Sequence, residues 1–330
     1  MRKLPQKLTS IAPYVPHRHS CPVRLDANES FVPMPPAVEE AVRRALAEAV
    51  LRRYPDGQAE ALRRAAAGYY GVGPECIVAG NGSDELIALI LACCAAKGGK
   101  VAVCEPDFSM YRFYSRLYEL EVITERREAD IVIFSNPCNP TGAGITAAEV
   151  LNLAETADAL VVVDEAYMEF WNESAAGYVA STENLIVLRT LSKAAGLAGL
   201  RVGFALAHEK LAALLRAAKS PYNLSAAAQA AGEAALRQSG YITEAARAIA
   251  RSREELYNML ARFPGLTPLR THTNFVLCEL TGAERLHIRL MQKGVAVRLL
   301  GENLLRITAG SPADHERLCV ALNEYFEGDV

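Results

Sequence analysis

The chain has 330 residues, 51% of them hydrophobic, 22% charged and 7% aromatic, with a formal net charge of −3. That length suits one large and one smaller domain. Basic residues are scattered among acids, which excludes a polyanion-binding stripe, so no nucleic-acid partner is expected. No apolar run reaches membrane-spanning length, and Met1–Gln6 lacks the apolar stretch of a signal peptide, so no membrane partner is expected either. The cysteines at positions 21, 76, 93, 94, 104, 138, 278 and 319 lack paired zinc-site spacing, and several sit in apolar runs. They read as reduced thiols of a cytoplasmic protein. His17, His19 and Cys21 have no matching second cluster, and no metal is expected.

Residues 1–24 carry Pro5, Pro13, Pro16 and Pro22 with little periodicity and read as an extended N-terminal arm, suited to wrapping a neighbouring subunit. Helical spacing runs from Pro35 to Val50, a turn follows at Tyr54–Gly57, and a second amphipathic helix spans about Ala59 to Tyr70. Strands are then expected at Ile77–Ala79, Val101–Cys104, near Val122, and at Ile131–Phe134, Leu160–Val163, Leu185–Leu188 and Val202–Leu206. Helices are expected at Glu85–Ala96 and Met110–Tyr118. Strands joined by helical crossovers predict an α/β fold, with a mainly parallel sheet sandwiched by helices. Such sheets bind ligands beyond the carboxyl ends of their strands. After Ser220 and Pro221 the composition shifts to a long helical region, about Ser225 to Arg262. Strands at Asn274–Cys278 and Leu304–Thr308 and helices at Ala283–Lys293 and Pro312–Phe326 complete a smaller α+β domain. The expected boundaries are 1–24, 25–225 and 226–330.

Three loops at strand ends carry chemistry. Lys193 follows the Leu185–Leu188 run and the hydroxyls Thr190 and Ser192, and is itself followed by small, glycine-rich sequence and Arg201. An amine beside hydroxyls, backbone N–H groups and a guanidinium suits a Schiff-base lysine next to a bound phosphate. Asp164 ends an apolar strand, with Tyr167 three residues on. Asn139 stands between Pro137 and Pro140, where the backbone is restricted. Gly82, Ser83 and Asp84 precede a helix and offer N–H groups to an anion. Gly80, Gly82 and Glu85 make only a degenerate dinucleotide fingerprint, without its third glycine. Arg306 interrupts an apolar strand, an arrangement that is costly without an anionic partner.

Together these segments, with Leu25–Glu29, Arg53–Pro55 and Leu305–Thr308, resemble the fold type I, aspartate-aminotransferase-like pyridoxal-phosphate enzymes. The histidinol-phosphate aminotransferases are the most similar. The resemblance implies that Lys193 holds pyridoxal 5′-phosphate as a Schiff base and that Asp164 faces the pyridine nitrogen. It implies that Tyr167 and Asn139 donate to the ring oxygen and that Phe108 stacks on the ring. Gly82, Ser83, Asp84, Ser192 and Arg201 become the phosphate cup, joined by Tyr54 from the other subunit of a homodimer. Arg306, Arg298, Asn28 and Tyr14, the last from the partner chain, become substrate contacts. The implied reaction is ping-pong transamination of histidinol phosphate with 2-oxoglutarate in histidine biosynthesis. Alternatives of the same fold are an aromatic aminotransferase and a threonine-phosphate decarboxylase. Two departures bear on substrate: the segment from Arg298 to Arg306 is short, and Ser30-Phe-Val-Pro33 replaces the usual continuation after Glu29. A regulatory, DNA-binding relative is disfavoured because the segment before Leu25 is too short for a DNA-binding domain.

Overall fold

The computed structural model describes residues 20–328. Its larger sheet is built from β2 (Ile77–Asn81), β3 (Lys100–Val103), β4 (Glu121–Ile123), β5 (Ile131–Ser135), β6 (Leu160–Asp164), β7 (Leu185–Thr190) and β8 (Val202–Ala207). The order is β2-β8-β7-β6-β5-β3-β4, and β8 alone runs against its neighbours. The central strands begin as continuous apolar runs, Ile131–Phe134, Leu160–Val163 and Leu185–Leu188, because both faces are covered. Val161 and Val163 of β6 face one core cluster and Val162 the other.

Helices α1 (Pro36–Glu48), α2 (Glu60–Tyr70), α3 (Gly82–Cys94), α4 (Ser109–Leu117), α5 (Ala147–Thr156) and α6 (Glu209–Ala218) accompany these strands. Helix α3 begins at Gly82, a turn earlier than its periodicity indicates, since Gly82 adopts φ +79° at the bend out of β2. The sequence reading leaves α5 and α6 unplaced. The expected long helical region is two helices, α7 (Ala226–Leu236) and α8 (Gly240–Leu260), broken at residues 237–239.

A second sheet, ordered β1-β11-β12-β10-β9, combines both ends of the described chain. Its strands are β1 (Val23–Leu25), β9 (Thr267–Pro268), β10 (Phe275–Glu279), β11 (Val295–Leu300) and β12 (Leu304–Thr308). It packs against α9 (Ala283–Gln292), α10 (Pro312–Glu327) and the end of α8, around Leu256, Leu260, Leu286, Leu290 and Leu318.

The cores divide the chain elsewhere than after residue 225. Ala228, Ala231 and Leu236 of α7 and Ile242 and Ala246 of α8 belong to the larger core, while Val23 and Leu25 belong to the smaller one. Of the expected arm, residues 1–19 lie outside the described part, and Val23 and Arg24 are strand residues rather than extended arm. Among the described residues no helix is long and apolar enough to cross a membrane.

Candidate active site

Polar residues replace apolar ones where the parallel strands end, and these ends surround a cavity of about 430 Å³. Asp107 and Phe108 follow β3, Ser135 and Asn139 lie at and beyond the end of β5, Asp164 ends β6, and Thr190, Ser192 and Lys193 end and follow β7. Arg201 reaches the same edge because β8 is reversed. The smaller sheet closes the cavity with Arg24, Arg298 and Arg306.

Asp164 is 4% exposed. Burial pushes its pKa up to about 6, while a hydrogen bond from Tyr111 and the Ala166 N–H oppose the rise. Tyr111 O–H donates to Oδ2 at 2.9 Å and Ala166 N–H to Oδ1 at 3.1 Å. Each carboxylate oxygen therefore keeps acceptor capacity for a cationic group in the cavity. Tyr111 is fully buried on α4, three residues after Phe108, and its ring meets Phe108 edge-on at 5.6 Å. The sequence reading missed it; the i, i+3 spacing from Phe108 was the available signal.

Lys193 Nζ lies 3.5 Å from the carbonyl oxygen of Ala27 and 5.5 Å from the centre of the Tyr167 ring. Tyr167 Oη accepts a hydrogen bond from Asn28 Nδ2 at 2.8 Å, which leaves its own O–H to donate elsewhere. Asn28 is held at φ +53°, a region asparagine tolerates, with its N–H donating to Thr308 Oγ1 and its carbonyl accepting from Asn274 Nδ2. Asn28 thus ties the β1 segment and the smaller sheet to Tyr167. Arg306 Nη1 donates to Asn139 Oδ1 at 2.6 Å, so the amide N–H₂ of Asn139 is the group left for a ligand.

At the other end, no side chain caps the first turn of α3. Ser83 and Asp84 line the cavity there, and Arg201 approaches Ser192 Oγ at 3.4 Å and Asp84 at 3.5 Å. Burial raises the pKa of Asp84, with Arg201 and Lys193 opposing. Its ion-pair partner is Arg201. Glycine is favoured nearby for two reasons: Gly82 adopts φ +79°, and a Cβ on Gly203 would stand 2.5 Å from the backbone N of Ser83.

The donor set suits pyridoxal phosphate. The uncapped helix start, Ser192 and Arg201 match its phosphate, and Asp164 matches its ring nitrogen. Tyr167 and Asn139 match its ring oxygen, Phe108 its ring face and Lys193 its aldehyde. Arg298 and Arg306 lie directly opposite each other across β11 and β12, and both line the cavity. The short segment between them is a tight hairpin with Gly301 at φ +67°. Gly82 supplies backbone rather than cavity wall. Tyr54 is not brought to the cavity within the chain; it is 81% exposed and stacks on Tyr222 at 4.6 Å. Tyr14 lies outside the described residues.

Comparison with known proteins agrees with this geometry. The family described as aminotransferase class I and II matches residues 22–322. A histidinol-phosphate aminotransferase of Caldanaerobacter subterraneus subsp. tengcongensis is 37% identical over 94% of this chain and 93% of its own. The crystal structure of histidinol-phosphate aminotransferase from Sinorhizobium meliloti in complex with pyridoxal-5′-phosphate superimposes with a TM-score of 0.90 and 27% identity, covering 100% of this chain and 99% of that one. L-threonine-O-3-phosphate decarboxylase from Porphyromonas gingivalis shares the fold at 24% identity, with a TM-score of 0.82 over 92% of this chain and 99% of its own. With an amine, a buried acid and an anion cup at one strand-end cavity and a family match across nearly its whole length, the chain belongs to the class I and II aminotransferases, in the fold type I architecture.

Proposed function

We propose that the chain is a pyridoxal-phosphate-dependent histidinol-phosphate aminotransferase that uses 2-oxoglutarate as amino acceptor. The observation that carries the substrate class is the facing pair Arg298 and Arg306. Like charges directly opposite on neighbouring strands repel, so the pair is most stable with an anion between its two forks. A phosphate monoester and the carboxylate of an amino acid both meet that requirement, and the proposed substrate pair presents both in turn.

Bound pyridoxal phosphate supplies the electron sink that acidifies the proton on the substrate's amino-bearing carbon. Lys193 Nζ is the base that takes this proton. Asp164 keeps the facing ring nitrogen charged, and Tyr167 and Asn139 donate to the ring oxygen. Arg298 and Arg306 hold the distal anion and so fix which bond faces Lys193. One cavity serving two substrates in succession implies ping-pong kinetics. Exposed Tyr54 fits a twofold dimer in which it completes the phosphate cup of the neighbouring site. The eight free thiols fit a reducing cytoplasm.

The protein loaded with pyridoxal phosphate is expected to convert histidinol phosphate and 2-oxoglutarate to glutamate and imidazole-acetol phosphate, with parallel double-reciprocal lines. Lys193→Ala is expected to lose turnover and the borohydride-fixed cofactor. Carbon dioxide release from threonine phosphate, or preference for unphosphorylated aromatic amino acids, overturns the assignment.

A further inference from the structure

One half-buried carboxylate of the cavity has no part in the chemistry above. Asp107 Oδ1 accepts the Phe108 N–H at 2.7 Å and the Ser135 hydroxyl, while Oδ2 accepts the Ser135 N–H at 3.0 Å. Ser135 Oγ accepts in turn from Asn139 N–H at 3.0 Å. Asn139 Oδ1 receives Arg306 Nη1 at 2.6 Å, and Arg306 Nη2 donates to the carbonyl of Asp26 at 3.0 Å. A single line of hydrogen bonds thus runs from the residue beneath Phe108, through the Asn139 turn, to the arginine of the smaller sheet. Three donors converge on Asp107, and only a carboxylate has an acceptor for each at this spacing. An asparagine there would aim its N–H₂ group at the Phe108 N–H in one orientation and at the Ser135 N–H in the other.

We propose that Asp107 is a positioning residue that fixes the Asn139 turn against the Phe108 loop, so that the ring-stacking face, the ring-oxygen donor and the substrate-anion arginine keep one spacing. This deepens the proposed function and rests on it, since Phe108 and Asn139 matter only if a pyridine ring lies between them. Asp107 acts through Ser135 and Asn139 rather than on the substrate. A loop staple with no functional consequence would lower thermal stability and nothing else. A positioning residue must also change what Asn139 does.

The test uses the full chain with pyridoxal phosphate and compares Asp107→Asn, Asn139→Ala and the double variant. Three quantities are read: the cofactor dissociation constant, the pH midpoint of the cofactor's visible absorbance, and the melting temperature of the cofactor-free protein. Asp107→Asn is expected to raise the absorbance midpoint by about one unit, through loss of the Asn139 donor. It is expected to weaken cofactor binding and lower kcat roughly 10- to 100-fold. The double variant is expected to match Asn139→Ala in absorbance midpoint, because the two residues act in series. Ser135→Ala, which deletes only the bridging oxygen, is expected to move the midpoint in the same direction by less, and stands in if Asp107→Asn does not fold. An unmoved midpoint and dissociation constant beside a lowered melting temperature overturn the inference, as do additive effects in the double variant. Wild-type protein that binds no pyridoxal phosphate overturns the functional reading and this inference together, whereas wild-type binding with unshifted variants overturns this inference alone.

Discussion

Tyr111→Phe isolates one hydrogen bond to the acid at the centre of the site. The ring is kept, so the packing on Phe108 survives; the O–H donated to Asp164 Oδ2 at 2.9 Å is lost. A hydrogen bond to a charged partner contributes about 1.5–3 kcal/mol, or roughly one to two pKa units. Burial already pushes Asp164 up to about 6, with the Tyr111 bond opposing, so its loss raises the pKa further. At pH 7 an acid titrating near 6 is about nine-tenths ionised; one raised by one to two units is only about half to one-tenth ionised. A protonated Asp164 cannot balance a cationic ring nitrogen. Pyridoxal-phosphate affinity in Tyr111→Phe is therefore expected to be weaker than wild type at neutral pH and to recover at alkaline pH. The whole binding profile should move by about one to two pH units. The assay is equilibrium titration of the cofactor-free protein by absorbance between acid and alkaline pH, with thermal unfolding as the folding control. Superimposable profiles for the two proteins would refute the reasoning, because Tyr111 would then have no hold on the Asp164 proton.

Three further outcomes are expected. Arg306→Gln removes a charge-assisted contact to the substrate anion and should raise KM for phosphorylated and dicarboxylic substrates about 10- to 100-fold, with a smaller change in cofactor affinity, measured by initial rates and absorbance titration. Asp164 has a folded-state pKa of about 6 against an ordinary 3.8, so between those values the unfolded chain has released a proton that the folded one retains, and the wild-type stability from this group falls as pH rises. Cofactor-free Asp164→Asn should accordingly gain stability relative to wild type from pH 4 to pH 6, by up to about 3 kcal/mol, in urea denaturation. Gly203→Ala places a Cβ 2.5 Å from Ser83 N and 2.6 Å from Gly82 C, backbone that cannot step aside, and should spread the phosphate cup and weaken pyridoxal-phosphate binding in equilibrium dialysis.

What was legible in the chain divides according to how far each signal reaches. Lys193 and Asp164 announce themselves locally, because an apolar strand buried on both faces gives way to polar residues at the sheet's ligand-binding edge. Strands β5 and β6 are equally plain for the same reason. Strand β11 is not, since its apolar run is only Val295–Val297 before Arg298, and β1 is a three-residue strand whose partner lies at the other end of the chain. Helices α5 and α6 did carry readable signals: a capping box between Thr146 and Glu149, and Leu211 and Leu215 at i, i+4.

The residues hardest to find depend on a meeting that only the fold arranges. Tyr111 looks like any core tyrosine of an amphipathic helix until β6 brings Asp164, 53 positions away, against its hydroxyl. Asp107 looks like a turn residue until parallel pairing of β3 with β5 sets Ser135 beside it. Tyr54 marks a further step, because packing within one chain leaves it in solvent on top of Tyr222. Val50 and Leu51, a turn earlier in the chain, are exposed as well. Lys193 and Asp164 can therefore be inferred from local pattern, Tyr111 and Asp107 from topology, and the part assigned to Tyr54 follows only from assembly.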